Sequence, residues 1–106
     1  MAQEKPIREF KGIWIPKEIW LDENLSIQEK VLMAEIDSFE YADGCYASNS
    51  YFGRFLGLSP SRVSGIISKL ISDGFLESTM TYKHLSREVD RRYLKINKSK
   101  IYISRR

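Results

Sequence analysis

Residues 49–70 read NSYFGRFLGLSPSRVSGIISKL, and their arrangement decides the fold. Ser48 is placed to cap a helix over 49–56. Gly57 ends that helix, because glycine takes the left-handed conformation a helix C-terminus favours. Ser59 and Pro60 restart the chain at once, as N-cap and first helical residue. The next helix is expected to run to about residue 72, with Val63, Ile66, Ile67, Leu70 and Ile71 on one face, and Asp73-Gly74 stops it. A turn of only Gly57-Leu58-Ser59 forces the two helices to cross sharply. Such a crossing needs a small residue where the helices touch, a glycine in the turn and apolar side chains filling the angle. Gly53 and Gly57 meet the first two needs, and Phe52, Leu56, Leu58, Val63 and Ile66 meet the third. This is helix-turn-helix spacing.

Upstream, residues 11–15 (KGIWI) are apolar and β-branched and read as extended chain. Pro16 suits the first position of a short helix over 17–23, with Ile19 and Trp20 turned inward. Ser26 and Glu29 have the spacing of a capping box, opening a helix that runs to about residue 39. Its core stripe is Leu32, Ile36 and Phe39, widened by Val31 and Met33, while Glu29, Lys30, Glu35 and Asp37 are expected to stay in water. Residues 41–44 (YADG) read as a turn and Cys45-Tyr46 as a candidate short strand. Downstream, 75–82 and 91–96 are β-prone runs separated by a polar, charged segment. An antiparallel hairpin with a basic loop is the simple reading.

The 106 residues, 42% hydrophobic and 29% charged, are enough for one domain with a core of its own and argue against intrinsic disorder. No apolar run approaches the roughly 18 residues of a membrane span, and the opening MAQEKPIREF is polar, unlike a signal peptide. A single cysteine, Cys45, rules out an internal disulfide and a multi-cysteine zinc site, and it reads as a small buried hydrophobe. The chain is expected to be soluble and cytoplasmic. Its net charge of +3 hides a division. Residues 1–45 hold five Lys/Arg against ten Asp/Glu, a balance of −5, and residues 46–106 hold twelve against four, a balance of +8. That asymmetry points to a polyanion met by the C-terminal half.

The run Cys45-Tyr46-Ala47-Ser48-Asn49, the two-helix unit and Leu70-Ile71-Ser72-Asp73-Gly74-Phe75-Leu76 together resemble the winged-helix family of DNA-binding domains. In that family a short strand precedes the second helix, and a leucine followed by a glycine–apolar–leucine exit leads into the wing hairpin. Residues 15–20 (IPKEIW) and 25–30 (LSIQEK) are similar to the N-terminal winged-helix domains of phage and plasmid replication initiators. The resemblance spans residues 12–96. It implies an α+β winged helix: three main helices, a short preceding helix or arm, and a two- or three-stranded sheet forming the wing. The expected division is an N-terminal arm over 1–15, the winged-helix domain over 16–97 and a basic tail over 98–106.

The helix over 60–72 is then the candidate recognition helix. Opposite its apolar face lie Ser61, Arg62, Ser64, Gly65, Ser68 and Lys69, with Ser59 at the cap. Arg62, near the helix N-terminus, suits a bidentate contact to guanine O6 and N7. The serines are small enough for close approach, and on a plain solvated face they would stabilise the helix little. Gly65 is costly in mid-helix, about 1 kcal/mol against alanine. Close approach to DNA and close packing on the preceding helix both account for it. Ser48 and Asn49 at a helix N-terminus, and Arg54 on that helix, are candidates for phosphate contacts. The wing offers Lys83, His84, Arg87, Arg91 and Arg92 as phosphate or minor-groove contacts. Glu88 and Asp90 are local partners that would reduce two of these arginines to a solvated hairpin tip.

Chemistry beyond binding is not indicated. His84 is the single histidine, so neither a histidine triad nor a multi-histidine metal site can be built. Asp37, Glu40 and Asp43 lack a matching ligand set. No glycine loop cradles a phosphate, and no cofactor is implied. The expected partner is double-stranded DNA, with replication proteins if the domain belongs to an initiator of a phage, plasmid or mobile element. A small transcriptional regulator is the alternative, and residues 1–15 and 98–106 are available as arms for a homodimer. A third reading, of another class, is a protein-interaction module whose acidic half uses Trp14 and Trp20, read as core or interface anchors, to hold a partner. The charge division argues against it.

Overall fold

Four helices precede a two-stranded antiparallel sheet in the computed structural model, which describes residues 12–39, 44–82 and 89–101. The order is α1 (Lys17–Trp20), α2 (Ile27–Ser38), α3 (Asn49–Leu56), α4 (Pro60–Ser72), β1 (Leu76–Tyr82) and β2 (Val89–Ile96). The architecture is α+β.

Local chemistry sets most of these boundaries. Ser26 Oγ accepts the Glu29 amide at 3.1 Å while Glu29 Oε1 accepts the Ser26 amide at 2.8 Å, closing the capping box of α2. Ser48 Oγ caps α3 through the Tyr51 amide, and Ser59 Oγ caps α4 through the Arg62 amide, with Pro60 in the first turn. Gly57 ends α3 at φ 74°, and the Leu58 amide reaches back to the Gly53 carbonyl at 2.9 Å. These elements fall where the sequence reading put them.

The beginning of the chain departs from that reading. Pro16 is the N-cap of α1 and not its first helical residue, and α1 is a single turn, shorter than 17–23. Asp22 Oδ1 accepts the Asn24 amide at 2.8 Å, a local bond that competes with continuing the helix. With so short a helix only Ile19 turns inward. Trp20 is 48% exposed and lies under the Lys30 ammonium, 5.0 Å from its ring centre.

The core joins Ile19, Leu32, Met33 and Ile36 to Phe52, Val63, Ile67 and Leu70, and is closed by Leu76, Leu94 and Ile96 from the sheet. Leu56, Leu58 and Ile66 pack against it while partly buried, and Ile71 is exposed. Cys45 is fully buried, as expected of a small apolar side chain. Two glutamates expected in water are inside. Glu29 is held by the capping box and by Lys69. Glu35, 1% exposed, accepts the Tyr51 hydroxyl at 2.7 Å. A buried carboxyl group persists only with such partners.

In the sheet Leu76 faces Ile96, Ser78 faces Leu94 and Met80 faces Arg92, with a bulge where Tyr82 pairs with Val89 instead of Asp90. β2 therefore starts two residues before the expected 91. Cys45-Tyr46 contributes a single bridge, Cys45 to Leu94, through two 2.8 Å bonds. The chain remains part of the fold beyond residue 97. The Ile101 amide donates to the Asn97 carbonyl at 3.0 Å and its side chain joins the core, so residues 98–101, assigned to the tail on composition, are integral to the domain.

Candidate nucleic-acid interface

The period of α4 separates its two faces. Val63, Ile67 and Leu70 are buried, while Ser61, Arg62, Ser64, Gly65, Ser68 and Lys69 are exposed, as is Ser59 at the cap. No acidic side chain lies on α4 itself. Between the start of α2 (Ser26, Gln28, Glu29) and α4 (Ser61, Arg62, Gly65, Lys69) runs an open cleft of about 600 Å³.

Two helical glycines have opposite surroundings. A Cβ on Gly53 would lie 2.6 Å from the Leu58 carbonyl oxygen, so Gly53 is the small contact that lets the chain fold back after α3. A Cβ on Gly65 would meet nothing within 4 Å. Packing of Gly65 on α3, one of its two sequence readings, is thereby excluded. Gly65→Ala is accordingly expected to stabilise the free protein by about 1 kcal/mol through helix propensity alone. Gly53→Ala is expected to destabilise it by about 1–3 kcal/mol through overpacking against backbone. Urea unfolding of both variants checks the sign reversal.

Lys69 is engaged with protein. Its ammonium lies 3.2 Å from Glu29 Oε2 and 3.2 Å from Asp73 Oδ2. The hydrogen bond to Glu29, then that to Asp73, raises its pKa above the ordinary lysine value. It ties α4 to the start of α2 at the surface, where solvent screens most of the attraction.

Arg91 and Arg92, both expected as basic contacts of the hairpin, part company because successive strand residues face opposite ways. Arg92 turns inward. Its Nη1 donates to Asn49 Oδ1 at 2.7 Å and its Nη2 to the Ala47 carbonyl at 2.8 Å, clamping β2 to the start of α3. Burial pushes its pKa below the usual arginine value. Asn49 is thus the partner of Arg92, and the Ser48 hydroxyl is occupied by its cap. Arg91 faces solvent, its guanidinium 4.4 Å from the centre of the Tyr46 ring. Arg54 is exposed on α3. Lys83, His84 and Arg87 lie outside the described residues, as do Glu40, Asp43 and Glu88.

Tyr46 and Tyr93 escaped the sequence reading as surface residues. They meet edge to face at 6.2 Å beside Arg91. The alternation along β2 carried the signal, since it places Arg91, Tyr93 and Lys95 together on one face.

Among the described residues no group of three or more His, Cys, Asp or Glu side chains could hold a metal ion. No helix among them is long and apolar enough to cross a membrane. No family model matches the chain, and comparison with curated proteins and with solved structures gives no match.

Proposed function

We propose that the chain is a winged-helix domain that binds double-stranded DNA, with α4 as the recognition helix and the β1–β2 hairpin as the wing. The observation that carries this reading is the outward face of α4. It exposes Arg62, small hydroxyl side chains and the open Gly65 without an acidic residue, on the half of the chain that carries the positive charge. A helix that presents serines and a glycine next to its arginine can approach the base edges closely. Arg62 then reads guanine, and Ser61, Ser64 and Ser68 bond bases or phosphates. Arg54 and Arg91 add phosphate contacts that supply affinity without sequence information, and their share fades as salt rises.

Within this reading the domain serves a replication initiator of a phage, plasmid or other mobile element, acts in the cytoplasm as a binding protein and not an enzyme, and works beside replication proteins. A small transcriptional regulator, acting as a homodimer, is the second assignment. One observation favours a different class, a protein-interaction module: Trp14 and Trp20, at 55% and 48% exposed, lie outside the core in the acidic half. Large exposed aromatic side chains are common anchors of protein partners.

Selection from a random pool of duplex DNA, read by sequencing the retained fraction, tests these together. Enrichment of a single or directly repeated site is the expected result for an initiator, and a palindrome identifies a dimeric regulator. Retention of no duplex at low salt, where phosphate contacts are strongest, overturns the DNA reading in favour of the interaction module.

A further inference from the structure

The outer face of the hairpin carries a cluster of which the proposed duplex contacts use only Arg91. The register pairs Glu77 with Lys95, Thr79 with Tyr93 and Thr81 with Arg91, and all six share the face opposite Leu76, Leu94 and Ile96. Cys45 bridges Leu94 with its side chain in the core, so Tyr46, the next residue, comes out beside Tyr93. The two rings are 6.2 Å apart at 74°, and the Arg91 guanidinium stacks 4.4 Å from the Tyr46 ring centre. Tyr46 remains 44% exposed. Gly44 fixes this edge: a Cβ there would lie 2.7 Å from the Leu94 carbonyl oxygen and 2.8 Å from Lys95 Cγ, at a φ of 109° that favours glycine. The chain thus approaches β2 closely enough to set Gly44 against Lys95 and Tyr46 level with Tyr93.

We propose that this face is a stacking platform for the unpaired bases of single-stranded DNA. The chemistry is complementary on both counts that such a strand presents. A tyrosine ring held by a neighbouring ring and a guanidinium is pre-oriented for a base to stack on it, and Arg91 and Lys95 supply positive charge for the phosphates on either side. Thr79 and Thr81 line the face beside the rings with side chains too short to obstruct a strand, and Glu77 lies across from Lys95 toward the other end of the face, away from Arg91. Stacking is tolerant of sequence, so this surface would hold a strand without reading it, in contrast to Arg62 on α4. The choice of DNA rests on the proposed function of α4, whereas the stacking geometry stands independently of it.

The test is fluorescence anisotropy with a labelled oligo(dT) and a labelled duplex at low salt, on the whole chain. Wild-type protein is expected to bind oligo(dT). Tyr46→Ala should weaken that binding about tenfold, in line with the worth of one stacked base, and weaken duplex binding far less, since there it touches only the support of one phosphate contact. Tyr46→Phe should retain it, and Tyr46→Leu, which keeps apolar bulk without a π-face, should lose it; this pair decides the matter if the alanine variant does not fold. Arg62→Ala should weaken duplex binding and leave oligo(dT) binding intact. If the wild-type protein holds no oligo(dT), if Tyr46→Leu binds it as well as Tyr46→Phe, or if Tyr46 substitutions weaken duplex and single strand equally, the platform is refuted. Tighter binding of oligo(U) than of oligo(dT) refutes the assignment to DNA. Tyr46-dependent oligo(dT) binding in a protein that ignores duplex would uphold the platform while the reading of α4 fails.

Discussion

Phe52→Ala is expected to bring the domain close to unfolding under ordinary conditions. Phe52 is fully buried on α3, its ring edge-on to Tyr51 at 5.6 Å, and it belongs to the same cluster as Val63, Ile67 and Leu70 of α4. Removing a buried phenyl ring forfeits its transfer free energy and leaves a cavity, together about 3–5 kcal/mol. A domain of this size has a total stability of about 5–15 kcal/mol, so the loss is a large part of the whole. It falls where the two crossing helices are held together, so every surface presented by α4 loses its support as well. Urea unfolding followed by circular dichroism measures the effect. Ile71→Ala, on the same core-facing stripe by sequence but exposed in the structure, is the control and should shift stability by less than about 0.5 kcal/mol. Near-equal losses for the two variants would mean that Phe52 is not a centre of the core.

That control shows where the sequence was informative. The bounds of α3 and α4 were legible because they depend on neighbours in the chain: a serine hydroxyl reaching an amide three residues on, a proline that needs no donor, a glycine in the left-handed region. Burial was less legible because it depends on distant partners. Glu35 reads as a solvent-facing residue until Tyr51, sixteen positions away, supplies its hydroxyl. Glu29 reads likewise until Lys69 arrives from α4, forty positions on. Gly53 and Gly65 are both glycines inside helices, and only the fold shows that one faces the Leu58 carbonyl and the other open space. Arg91 and Arg92 are the instructive case. Composition treats them as one basic pair, yet the two-residue strand period alone predicts that they point to opposite faces, and the structure gives one to Asn49 and the other to Tyr46.

For the proposed DNA contact of α4, Arg62→Ala is the most informative substitution. The backbone amide of Arg62, not its side chain, completes the Ser59 cap, and the guanidinium is exposed. Stability should therefore change by less than about 0.5 kcal/mol, and a change in DNA binding can be assigned to the side chain. If that side chain reads a guanine, affinity for the selected site should fall about 5- to 150-fold, the equivalent of about 1–3 kcal/mol, and preference at one base pair should vanish. Arg62→Lys separates charge from readout. Lysine keeps the positive charge and its phosphate attraction but lacks the planar fork that engages O6 and N7 together. It should bind non-specific duplex nearly as well as the wild type while losing most of the discrimination. Titrations of selected and scrambled duplexes across a salt series distinguish these outcomes, because a lost phosphate contact lowers the salt dependence and a lost base contact does not. Should both variants keep the wild-type ratio of specific to non-specific affinity, Arg62 reads no base and sequence recognition by the N-terminal part of α4 would have to be abandoned.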